Sequence, residues 1–396
     1  MNVSERITTM QFSPIRRLSP FAEAAKKQGK KVYHLNIGQP DIETPREFFD
    51  AVRNFDEKVL AYAVSQGLPE TIDSFVNYYK TFDVSYAKDE ILVTNGGSEA
   101  LFFVILATCD HGDEILVPEP FYTSYNGLAK PTGVVLVPIP TQAANGFKLP
   151  DLSVIDSKVT PKTRAILLSN PGNPTGAVYD MDDMEKVRDL ALKHNIYIIS
   201  DEVYKEMVYD GLKFTSFSQI PGIEDNVILT DSISKRYSAC GARIGCIASK
   251  NRDLMSHMLK LCQGRLCVAT IEQVGAAALA AVSPKYMEEV VVEYQKRRDI
   301  VYDALMQMDG VICEKPRGAF YIMAKLPVTD SEDFCKWLLT DFSHNNSTVM
   351  FAPGAGFYAT PGLGLDEVRI SYVLKEDDLR AAMDVLALAL KAYANR

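Results

Sequence analysis

The 396-residue chain is 47% hydrophobic and 23% charged, the balance of a globular protein with a sizeable core rather than a disordered one. Its net charge of −9, with no basic block, argues against nucleic acid as a partner. The longest apolar run, Leu101 to Cys109, falls far short of the ~20 residues a membrane helix needs, and the first twenty residues lack a signal-peptide core, so a cytoplasmic protein is expected.

A short helix, Phe21–Lys27, and an extended piece open the chain. Glu90–Thr94 reads as a strand, followed by Asn95-Gly96-Gly97-Ser98 and a helix over Glu99–Thr108. Strands are predicted at Glu114–Pro118 and Gly133–Ile139, and at Arg164–Ser169, which runs into Asn170-Pro171-Gly172-Asn173-Pro174. The helix Met181–His194 leads to the strand Ile196–Ser200, and Asn226–Thr230 and Ile244–Ala248 complete the set. Strands alternating with helices predict an α/β fold whose mostly parallel sheet lies between helices. Past residue 285 the texture changes. A long helix from Pro284 to Met308, strands at Ala319–Ala324 and Val368–Val373, and a helix over Glu376–Ala394 predict a smaller α+β domain. The expected division is 46–284 for the large domain, with 1–45 and 285–396 forming the small one.

Several chemistries drop out on pattern alone. The seven cysteines are odd in number and contain no CxxC, so reduced thiols are expected. The five histidines form no HExxH, which speaks against a metal site, and no GxSxG marks a hydrolase. Gly354-Ala355-Gly356-Phe357-Tyr358-Ala359 fits the dinucleotide pattern, but Pro361 and Gly362 break the helix that pattern requires. The dehydrogenase reading is rejected.

Ligands of open α/β sheets bind beyond the carboxyl ends of the strands. Four of those ends are polar here: Gly96-Gly97-Ser98, Asn170 to Asn173, Asp201 to Tyr204, and Asp231 to Lys235. The glycines suit an anion at a helix start. Asp201 directly follows an apolar strand, an expensive position for a carboxylate without a cationic partner. Lys235 and Arg243 supply cations nearby in sequence. An aromatic, phosphorylated, carbonyl-bearing ligand would use all of these groups, and pyridoxal 5'-phosphate is such a ligand.

With these residues on view, the chain resembles the class I/II pyridoxal-phosphate-dependent aminotransferases, the aspartate aminotransferase-like enzymes of fold type I. The most specific stretch is Ser232-Ile233-Ser234-Lys235-Arg236-Tyr237-Ser238-Ala239-Cys240-Gly241-Ala242-Arg243-Ile244-Gly245. Asn173-Pro174-Thr175-Gly176, Ser200-Asp201-Glu202-Val203-Tyr204 and Pro316-Arg317-Gly318-Ala319-Phe320-Tyr321 match in the family's order. The resemblance implies that Lys235 forms the imine to the cofactor and then moves the substrate Cα proton. It implies that Asp201 pairs with the pyridinium nitrogen, and that Asn173 and Tyr204 hydrogen-bond the phenolic oxygen. Tyr122 would stack on the ring, while Gly97, Ser98, Ser232 and Arg243 would hold the phosphate. Arg369 would grip the substrate α-carboxylate, helped by Gly38 and Asn173. Tyr62 would be lent to the phosphate of a neighbouring subunit, implying a homodimer with shared active sites. Taken singly, Arg369 reads as a solvated arginine and Tyr62 as a core residue; the constellation favours the functional roles.

The implied reaction carries an amino group from an L-amino acid to a 2-oxo acid by a ping-pong route, with aspartate- or glutamate-type substrates slightly favoured. A carbon–sulfur or cyclopropane-forming lyase of the same fold is the alternative. A non-catalytic cofactor-binding regulatory module ranks below both. For the second carboxylate of an acidic substrate, Ser98 occupies a position where relatives place a cation, which leaves Arg265 as the nearest candidate, in a segment that in the family approaches the neighbouring active site, with a structural or surface role equally open to it.

Overall fold

The computed structural model describes residues 1–396. Its strands in chain order are β1 (Lys31–His34), β2 (Ile91–Thr94), β3 (Glu114–Glu119), β4 (Val135–Pro140), β5 (Thr163–Ser169), β6 (Tyr197–Asp201), β7 (Val227–Ser232), β8 (Gly245–Ala248), β9 (Tyr321–Lys325), β10 (Ser347–Met350), β11 (Ala352–Pro353) and β12 (Glu367–Ser371). Seven of them form one sheet in the order β2-β8-β7-β6-β5-β3-β4. Only β8 runs against its two neighbours. The fold is therefore α/β with a mostly parallel sheet.

Both faces of this sheet are covered, as a parallel sheet requires. Ile115, Val117 and Leu167 pack on one side under the helices Gly96–Thr108, Ser124–Thr132 and Arg252–Arg265. The alternate residues Leu116, Ile166 and Leu168 face Met184, Val187 and Leu190 of the helix Met181–His194 on the other. That helix starts where Asp180 accepts a hydrogen bond from Asp183 N, and it stops at Asn195, whose φ is +50°.

Where the expected strand bounds shift, a local cause is visible. The strand expected from Gly133 begins at Val135, because Gly133, with φ +79°, caps the preceding helix. The strand expected from Ala319 begins at Tyr321, since Ala319 itself takes φ +54° in a turn. The long helix ends at Leu305 rather than Met308.

The remaining strands form two small sheets, β11-β12-β9 antiparallel and β1-β10 parallel. One core joins Leu18, Ala22, Val32 and Leu35 from the start of the chain to Val301, Phe334, Val349 and Leu386 near its end. Gly354–Phe357 is a single short 3-10 turn after β11, with no long helix behind it. No helix of the chain is long and apolar enough to cross a membrane.

Candidate active site

Asp201 is the last residue of β6, and Ser232 is the last of β7. Lys235 sits in the four-residue helix that follows β7, and Arg243 lies two residues before the antiparallel strand β8. Gly245 sits opposite both Thr94 and Ser232 in the sheet. A Cβ built on it would lie 2.6 Å from Asp231 O and 2.8 Å from Gly97 N, so only glycine lets the Gly96-Gly97 turn lie this close to β7. The turn opens the helix Gly96–Thr108, which presents free backbone N–H groups to the same space.

These ends frame one cavity of about 730 Å³. Gly38, Gly97, Ser98, Tyr122, Asn173, Asp201, Tyr204, Ser232, Lys235, Arg243 and Arg369 all line it. Tyr62 does not. It stands 82% exposed, in a segment whose Val59, Leu60 and Val64 are exposed as well.

Lys235 Nζ donates to Gly38 O at 2.9 Å. Burial is the first cause that lowers its pKa; nearby Arg369 and Arg243 lower it further, against the opposing pull of Cys240. Asp201 shows the converse. Burial pushes its pKa up to about 6, despite the hydrogen bond that it accepts from the Tyr125 hydroxyl at 2.7 Å. Arg369 is 1% exposed and has no acidic partner. Its guanidinium donates to Asn173 Oδ1 at 3.0 Å and to Asn36 O, and lies 4.4 Å from the Tyr321 ring centroid. Its Nε has no hydrogen-bond partner. A buried, unbalanced cation with a free donor is an open demand for an anion.

At the other end of the cavity, Arg243 Nη2 reaches Asn95 O at 3.3 Å beside Gly96. Ser232 Oγ lies 2.6 Å from Ser234 Oγ. Hydroxyls, a guanidinium and a helix start thus line the cavity together with the carboxylate of Asp201 and the guanidinium of Arg369.

Sequence reasoning missed three residues. Tyr125 steadies Asp201; Tyr321 meets the Tyr204 hydroxyl at 2.8 Å; Asn36 links the N-terminal segment to Arg369. Tyr321 was within reach, being the last residue of the quoted Pro316–Tyr321 motif. The other two carry no local signal.

Arg265 does not line this chain's cavity. Its guanidinium lies 3.5 Å from Glu99 and donates to Ser65 O and Val93 O, away from this chain's cavity. Within the chain it ties the start of the helix Gly96–Thr108 to the helix Arg252–Arg265.

The family model "Aminotransferase class I and II" matches residues 30–386. An aspartate aminotransferase of Pyrococcus horikoshii is 33% identical over 98% of this chain and 97% of its own length. One of Rhizobium meliloti is 30% identical over 98% and 95%. Among solved structures, an aspartate aminotransferase mutant of Thermus thermophilus superposes with a TM-score of 0.90 at 28% identity, covering 98% of this chain and all of that one. An alanine aminotransferase of Pyrococcus furiosus reaches 0.90 at 32%, covering 99% and 100%. With the family model matching residues 30–386 and relatives at 30% identity or more along nearly the whole chain, the chain belongs to the class I and II aminotransferases, enzymes that transfer nitrogenous groups.

Proposed function

We propose that this aminotransferase moves the amino group of an L-amino acid, aspartate or glutamate by preference, to a 2-oxo acid, with pyridoxal 5'-phosphate as the carrier. The observation that carries the reading is Arg369, a buried guanidinium without an anion in the same cavity as Lys235 and Asp201. A substrate α-carboxylate supplies that anion and satisfies the free Nε. The names of the relatives support acidic donors.

The residues present fit the cofactor. Asp201 offers a buried carboxylate whose raised pKa marks an anion in need of a positive partner, which a protonated pyridine nitrogen provides. Arg243, Ser232, Gly97 and Ser98 hold the phosphate, Tyr122 covers a ring face, and Asn173 with Tyr204 reaches the phenolic oxygen. When bound, the cofactor supplies an aldehyde that accepts the amino group and a ring that withdraws electrons from Cα. Lys235 is the base. Burial favours its neutral amine, the form that takes the Cα proton and then returns it.

Residues 46–284 are assigned to the cofactor-binding domain, with 1–45 and 285–396 to the domain that brings Gly38 and Arg369. The active form is a homodimer. The exposed apolar segment around Tyr62 supports this, since Tyr62 is free to reach a neighbouring subunit's phosphate. Mixing the holoenzyme with excess glutamate, without an acceptor, tests the reaction. Conversion of the cofactor to its amino form with one equivalent of 2-oxoglutarate is expected. Release of an oxo acid and ammonia with the cofactor unchanged would overturn the reading in favour of a lyase.

A further inference from the structure

The cavity contains one cation for which the proposed reaction leaves no use. Arg16 lines it together with Ser13 and Ile15, is exposed, and forms no ion pair, while its neighbour Arg17 is paired with Glu332. The only carboxylate in the lining is Asp201. If Arg243 meets the cofactor phosphate, Lys235 its aldehyde and Arg369 the α-carboxylate, then Arg16 is left facing the substrate without a counter-charge.

Its position is fixed by a seat, not by chance. Ile15 O accepts from Asn36 Nδ2 at 2.9 Å, and Asn36 O in turn accepts from Arg369. One asparagine therefore ties the Arg369 guanidinium to the backbone just before Arg16. On the opposite side Pro14 rests on Gly356, where a built Cβ would come within 2.4 Å of the proline ring and meet nothing else so closely. The glycine-rich turn that imitates a dinucleotide motif is the seat of this segment. Further back, Arg6 donates to Pro131 O at 3.0 Å, and the strap from Glu5 to Phe12 buries no side chain of its own.

We propose that Arg16 is the specificity-determining residue for acidic substrates, binding the side-chain carboxylate of aspartate or glutamate while Arg369 holds the α-carboxylate. The inference rests on the aminotransferase reading above and assigns to Arg16, which lines this chain's own cavity as Arg265 does not, the contact with the second carboxylate. The chemistry favours a carboxylate, because a guanidinium fork binds its two oxygens together. It also leaves neutral donors usable, because an exposed arginine turns to solvent at little cost.

The test uses the holoenzyme with Arg16→Met, Arg16→Lys and Gly356→Ala. For Arg16→Met, half-reaction kcat/KM with glutamate and aspartate is expected to fall about 30-fold, equivalent to about 2 kcal/mol. Alanine should change by less than about 3-fold. Arg16→Lys should recover part of the loss. Gly356→Ala, which pushes only on Pro14, should reproduce the selective loss without touching the chemistry. Equal losses for acidic and neutral donors, or no loss, overturn the proposal. A binding arm separates this from failure of the reaction itself: succinate should bind the wild-type holoenzyme more tightly than butyrate, and Arg16→Met should abolish the difference. Loss of that difference in an enzyme that transaminates nothing would sink the proposed reaction and keep Arg16. A wild type that does not distinguish the two acids sinks Arg16.

Discussion

Tyr125 donates to Asp201 at 2.7 Å, the one side-chain hydrogen bond that this buried carboxylate receives. Tyr125 belongs to the helix Ser124–Thr132 and is itself buried, with its ring edge-on to Tyr122 at 5.6 Å. The pair that holds the carboxylate is thus built into the same helix start as the aromatic wall of the cavity. Replacing Tyr125 with Phe removes a contact that stabilises the charged form, so the pKa of Asp201 should climb above about 6. The acid limb of the cofactor-binding pH profile should move up with it, and an unmoved limb would show that Tyr125 only packs.

Asp201 also sets a stability prediction for the cofactor-free chain. Its folded pKa of about 6 lies above the ordinary carboxylate value of 3.8, so between the two the folded state keeps a proton the unfolded state has lost. Stability falls as pH rises through that window and stays lower above it, by on the order of 3 kcal/mol. Thermal unfolding should therefore show cofactor-free Asp201→Asn more stable than wild type near pH 8, with the gap closing at about pH 4. The same variant, loaded with cofactor, should transaminate very slowly. Equal stability at both pH values would mean that a neighbouring charge already balances Asp201.

Arg369 should behave differently from Arg16. Arg369→Met removes the grip on a group every amino acid carries, so kcat/KM should fall for acidic and neutral donors alike, by on the order of 2–5 kcal/mol. Arg369→Lys should rescue little, because a single ammonium cannot replace a bidentate fork. Steady-state kinetics with glutamate and alanine would reveal any selectivity in the loss, and a selective loss would contradict the assignment.

Borohydride reduction of the holoenzyme, followed by peptide mapping, should place the cofactor on Lys235. Lys235→Ala should take no label and lose the Cα proton exchange, with exchange followed by mass spectrometry in heavy water. A label on Lys205, the one fully buried lysine, would undo the assignment; Lys205 is already paired with Asp231 at 2.9 Å.

Gly38 is a steric prediction. A Cβ there would sit 1.8 Å from the Tyr321 hydroxyl and 2.4 Å from its ring carbon. Gly38→Ala must displace Tyr321, and with it the partner of Tyr204, at a cost of about 1–3 kcal/mol in stability. Activity should fall further than stability, since Gly38 O is also the acceptor for Lys235. Calorimetry beside kcat/KM would show whether the two losses separate.

The sequence made the regular elements legible where both ends carry their own chemistry. Met181–His194 has Asp180 before it and Asn195 after it, and Glu376–Ala394 opens with three acids, so both helices are found to the residue. Strand limits drifted by one or two positions where a turn of positive φ, as at Gly133 or Ala319, took residues that look extended by composition. In the cavity, the groups at strand ends could be read because their placement follows from the sheet. Asn36 and Tyr125 could not, because their roles depend on which distant atom they meet. The contact of Arg265 with Glu99 could not be read for the same reason: nothing along the chain announces it.

β1 has one neighbour, β10, so Lys31–His34 pairs only with Ser347–Met350. A chain emerging from its amino end holds this strand idle, its edge unpaired, until nearly all the rest has been made. Asn36 and Gly38 follow directly behind it and cannot reach their posts beside Arg369 and Lys235 any sooner. The seven-stranded sheet can be assembled earlier, from residues 91–248. Capture of the cofactor in its finished setting is then a late event on the ribosome's clock, and a polypeptide halted before Met350 should leave Lys235 open to water and to any stray aldehyde.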